Sequence, residues 1–150
     1  MDNNDVVDTL NKLIETSKDG EYGFTSCAEH VKSTNLKSLF TQRAGECRQA
    51  AAELQALVAN YGEKPDTGGT VGGAMHRGWV AVKGTLSGYS EEAVLNECER
   101  GEDVAKAAYQ KAIDKGLPPE VATVVTRQYE GVLRNHKQVR TLRDAARAAS

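Results

Sequence analysis

A chain of 150 residues, 27% charged and 39% apolar, has the size and balance of one globular domain with its own core. Its net charge of −2 gives no pull toward nucleic acid or an anionic membrane surface. No apolar run approaches the roughly 20 residues of a membrane span, and the start, Met1 to Asp5, is too acidic and polar for a signal peptide.

Aromatics are 5% and prolines number three, while alanine, leucine and valine dominate the apolar set, a balance that favours helices over sheets. Cys27, Cys47 and Cys98 are odd in number and lack CxxC spacing. That argues against a disulfide framework or a zinc site and for a reducing cytoplasm, with the thiols acting as small buried hydrophobes.

The first helical segment spans about 4–32, with an apolar stripe at Val7, Leu10, Leu13, Ile14, Phe24, Ala28 and Val31. Glu21 falls in that register rather than opposite it, and Asn3 or Asn4 is the expected N-cap. Ser33-Thr34-Asn35 is a short connection, with Asn35 as the next cap. The second segment, about 36–61, carries Leu36, Leu39, Phe40, Arg43, Glu46, Cys47, Ala50, Leu54 and Val58 on one stripe, and Gly62 stops it.

A long crossover, about 63–90, opens on Pro65-Asp66-Thr67-Gly68-Gly69 and holds a short helix with His76 and Trp79. Packing on the bundle is the first expectation for Trp79. As a lone tryptophan on a connection, it also suits an interface anchor. Ser90 caps a third segment, about 91–115, with Val94, Leu95, Cys98, Glu102, Ala105 and Tyr109 on its stripe and Gly116 at its end. Pro118-Pro119-Glu120 opens a fourth, with Val121, Val125, Gln128, Val132, His136 and Val139 on its stripe.

Two short turns around one long crossover predict an all-α, ferritin-like four-helix bundle, up-down-down-up, as a single domain over 1–150. Counting outward from the turns puts Glu21, Glu46, Glu102 and Gln128 near one level, with Arg43, Glu99 and His136 about one turn away. Gly20, Gly23, Gly45, Gly101 and Gly131 crowd the same level, where small residues let helices approach closely. Buried carboxylates are costly unless paired, protonated or metal-bound.

Four stretches, Asp19 to Phe24, His76 to Trp79, Glu97 to Asp103 and Leu117 to Pro119, resemble the DUF2383 family, within the ferritin-like superfamily. The resemblance implies a ferritin-like bundle and a bacterial source, and it implies no activity. Carboxylate-bridged di-iron bundles use a lone Glu on two helices and Glu-x-x-His on the other two. Glu21 and Glu102 match the lone glutamates. Glu46 is followed three residues later by Gln49, and Glu130 by Leu133, so both ligand histidines are missing.

Three readings of the polar level follow. One is a buried network of Arg43 with Glu46, Glu99 and Glu102, completed by Gln128 and His136. Another is a degenerate iron or manganese site on Glu21, Glu46, Glu99, Glu102 and His136, with a redox or stress-related role. In the third the register slips and the glutamates face solvent. There is no phosphate loop, dinucleotide fingerprint or nucleophile constellation. The expectation is a cytoplasmic interaction module, not an enzyme, that forms a homo-oligomer and binds neither nucleic acid nor membrane.

Overall fold

The computed structural model describes residues 1–65 and 90–149. Four helices hold nearly all of them: α1 (Asn3–Glu29), α2 (Thr34–Asn60), α3 (Glu91–Asp114) and α4 (Pro119–Ala149). The described residues contain no strand. The expected crossover helix, with His76 and Trp79, lies outside the described residues.

The helix ends follow local chemistry. Ser90 caps α3 as expected, its side chain accepting from Ala93 N at 3.3 Å. The other two caps fall earlier than expected. Asp2, not Asn3 or Asn4, accepts from Asp5 N at 2.9 Å, and Ser33, not Asn35, accepts from Leu36 N at 3.3 Å. In both cases the first short oxygen side chain of the connection takes the role, and the residue expected as cap becomes helical. Gly62 and Gly116, at φ 75 and 76, end α2 and α3 in the left-handed region that glycine enters without strain.

Cross-helix partners define the topology. Ser17 meets Tyr109 and Cys27 meets Cys98, so α1 and α3 run antiparallel. Tyr61 meets Glu120 and Glu46 meets Asn135, so α2 and α4 do too. Arg43 reaches Glu102 across the centre, between helices that run parallel. This is the up-down-down-up order, and no described helix is long and apolar enough to cross a membrane.

The apolar core has two halves. One gathers Phe24, Cys27, Phe40, Cys47, Val94, Leu95, Cys98 and Val139. The other gathers Leu10, Leu13, Ile14, Leu54, Val58, Tyr109, Val121, Val125 and Val132. Between them the buried residues turn polar: Ser17, Asp19, Arg43, Glu102 and Gln128. The glycines of this level divide by role. A Cβ on Gly20 would stand 2.8 Å from Cys47 Sγ, so α1 and α2 touch there as closely as they can. Gly45 and Gly131 would meet only arginine side-chain ends at 3.6 Å, an ordinary contact.

Candidate functional site: a charge-paired level and the cleft above it

Glu102 is 1% exposed, deeper than any other carboxylate among the described residues. Its partner is Arg43 on α2. Nε donates to Glu102 Oε1 at 2.8 Å, and Nη2 lies 3.5 Å from Oε2, a long second contact. The Arg43 guanidinium also sits 5.6 Å over the Phe24 ring centroid, a cation–π contact that suits a cation withdrawn from water. Nη1 lies 3.7 Å from Glu46 Oε1, too far for a hydrogen bond. Two of the three guanidinium nitrogens face Glu102, and among the described residues no Arg43 nitrogen is both buried and without a partner.

Burial pushes the Glu102 carboxyl above its usual 4.5, and Arg43 offsets only part of that. Burial also works against the Arg43 cation. The negative groups around it (Cys47 when ionised, Glu102 and Glu46) outweigh that and hold its pKa above the ordinary value. The Cys47 thiol, wholly buried, is pushed up to about 12, so it stays a neutral hydrophobe.

A second polar chain adjoins the first. Tyr109 donates to Gln128 Oε1 at 2.7 Å and lies 3.3 Å from Ser17 Oγ. Gln128 Nε2 donates to Glu53 Oε1 at 3.1 Å and approaches the Ala50 carbonyl at 3.3 Å. Arg127 closes the outer end on Glu53 at 2.6 Å. Each member restrains the next, which fixes the α2–α4 register.

The α2–α4 seam is the loosest of the four neighbouring helix pairs. A cavity of about 280 Å³ opens along it at the polar level. Arg43, Tyr109 and Gln128 line it with Phe24 and Val132, and Arg134 and Asn135 stand among its other walls.

The expected site residues divide into three groups. Arg43, Glu102 and Gln128 meet at the level. Glu46 lies beside Arg43 with its side chain 46% exposed. Glu21 is not in the core. Its side chain is 25% exposed and pairs with Lys18 and Arg48, each at 3.5 Å. The inward face of α1 runs through Ser17, Gly20, Phe24 and Cys27, which turns Glu21 toward the α2 rim. Glu99 and His136 sit together elsewhere, in the α3–α4 groove with Asp103, their ligand atoms within 4.8 Å of one another. The five residues expected around one metal therefore do not share a site.

A central di-metal centre does not fit these residues. A guanidinium occupies the space between Glu46 and Glu102, and Gln49 and Leu133 stand where Glu-x-x-His spacing asks for histidines. Sequence reasoning missed Asp19, Tyr109 and Asp103 as polar members. Asp103 was findable, because it lies four residues after Glu99 and so shares its helix face.

Fold and polar level together define a ferritin-like four-helix bundle whose centre is ion-paired. The chain belongs to the DUF2383 family, described as a domain of unknown function, whose model matches residues 5–115. Among solved structures it is similar to a mutant of Dps1 from Mycobacterium smegmatis, with a TM-score of 0.77 and 19% identity over 92% of this chain and 94% of that one. At that identity the likeness speaks for the fold. No curated protein matches the sequence.

Proposed function

We propose that this protein is a binding module, and that the α2–α4 cleft receives a compact ligand with an acceptor group and an apolar body. The observation that carries this reading is a cavity of about 280 Å³ with a buried guanidinium in its wall. An apolar cavity of about 150 Å³ holds benzene, so this volume suits a molecule somewhat larger than a single ring. The Arg43 cation in the wall favours a carboxylate, which guanidinium groups bind with two parallel hydrogen bonds. Phe24 and Val132 offer the body an apolar wall.

Benzoate and benzamide are suitable probes. In amide-resolved NMR, benzoate should shift resonances at Arg43, Tyr109 and Gln128 more than benzamide does. Ala105→Leu, which narrows the cleft, should abolish those shifts while circular dichroism stays unchanged. Shifts scattered over the surface, or indifferent to Ala105→Leu, would remove the cleft as a ligand site.

Self-association belongs to the same reading, with Trp79 and His76 as its sequence-derived anchors. Light scattering on the full chain should give a mass above one subunit, reduced by Trp79→Ala. A monomer at all concentrations would end that part.

A further inference from the structure

Outside the charge-paired level, one group of side chains among the described residues has the composition of a metal site. Glu99 and Asp103 lie four apart on α3, so both project into the groove beside α4. His136 enters from α4, and its Nε2 is 2.5 Å from Asp103 Oδ1. The three ligand atoms lie within 4.8 Å of one another.

We propose that Glu99, Asp103 and His136 form a mononuclear site for a divalent first-row cation. Metal–oxygen and metal–nitrogen bonds of about 2.1 Å put neighbouring ligand atoms about 3 Å apart around an ion. The His136–Asp103 pair, at 2.5 Å, is closer than that and would open slightly around an ion. Glu99 lies within 4.8 Å of the pair, and the 57% exposed Asp103 side chain, hydrogen-bonded to His136, would shift toward it around an ion. His136 and Glu99, at 12% and 17%, are the sheltered ligands.

Glu99 has a further neighbour that shapes the site. Arg143 on α4 pairs with Glu99 Oε2, and that oxygen is closed to water. The guanidinium restrains the Glu99 carboxylate from the α4 side. Ligating carboxylates are commonly hydrogen-bonded on one oxygen, which orients the ligand.

The donor set limits the ion. Two carboxylates and one imidazole suit manganese, iron, cobalt or zinc better than calcium, which takes more oxygens, or copper(I), which takes sulfur. Three protein ligands leave positions for water or a small anion. The site uses α3 and α4 and is made of side chains other than Arg43 and Glu102, although His136 lies close enough to Glu102 to favour its charge.

Calorimetry and electron paramagnetic resonance with Mn²⁺ on the tag-free full chain test the proposal. One ion per chain is expected, with a bound-ion spectrum. Asp103→Asn and His136→Ala should each weaken binding about tenfold or more, and Glu21→Gln should leave it unchanged. Asp103 is exposed enough that its variant keeps the fold if the His136 variant does not. Absence of binding at millimolar Mn²⁺ and Zn²⁺ would overturn the site, as would affinity indifferent to Asp103→Asn.

Discussion

Replacing Glu102 by glutamine keeps the shape of the buried level and removes one charge. Arg43 then keeps its charge in a setting that is about nine-tenths closed to water. Charge centres about 4 Å apart attract by about 4 kcal/mol at an effective dielectric of about 20. Breaking one side of a buried pair costs about 3–5 kcal/mol, a similar figure. Urea unfolding followed by circular dichroism should therefore show Glu102→Gln less stable by about 3–4 kcal/mol. Arg43→Met alone should cost a similar amount, because Glu102 is then the stranded charge. The double variant Arg43→Met/Glu102→Leu should recover most of the loss, since an apolar pair of similar volume replaces a costly ionic one. The cycle thus has a large coupling term. A loss under about 1 kcal/mol for both single variants would refute the reasoning. It would mean that water reaches the pair, or that the two side chains point elsewhere.

The remaining predictions follow from the same burial. Burial holds the Cys47 thiol at about 12 when folded against 9.0, so the native state keeps that proton more tightly than the unfolded chain: stability should be full below pH 9 and fall as pH rises toward 12, and Cys47→Ala should flatten that fall. All three thiols are buried, so thiol-reactive dyes at pH 8 should label them at the rate of unfolding and no faster. Gly20→Ala gains about 1 kcal/mol of helix propensity but drives a methyl against Cys47 Sγ. Thermal unfolding should show a net loss of about 1–2 kcal/mol, restored by adding Cys47→Ala. Tyr109→Phe removes the hydroxyl that donates to Gln128 and should cost about 1–2 kcal/mol in the same assay.

The bundle was legible in the sequence because its signals are local. Apolar spacing, the Ser90 cap, the glycines after α2 and α3 and the proline before α4 each act within a few residues. The level of Arg43, Glu102 and Gln128 was legible as well, since three polar residues interrupt otherwise apolar stripes. Rotation about each helix axis was not. Glu21 sits in the stripe by spacing, yet the close α1–α2 approach at Gly20 sets the inward face and turns Glu21 outward. Counting from the turns put Arg43 one level away from Glu102. A long arginine side chain covers that difference, which levels counted at Cα positions ignore. The partition of Glu99 and His136 from the other expected ligands depends on which α4 face meets α3, and no local pattern encodes that.

An ion pair holds the bundle centre, and the α3–α4 groove is the place for any cation. Anomalous diffraction at the manganese edge, from crystals grown with Mn²⁺, tests both parts at once. The predicted result is a peak among Glu99, Asp103 and His136, with Arg43 Nε within hydrogen-bond distance of Glu102 Oε1. A peak between Glu46 and Glu102, with Arg43 turned away from both, would contradict it.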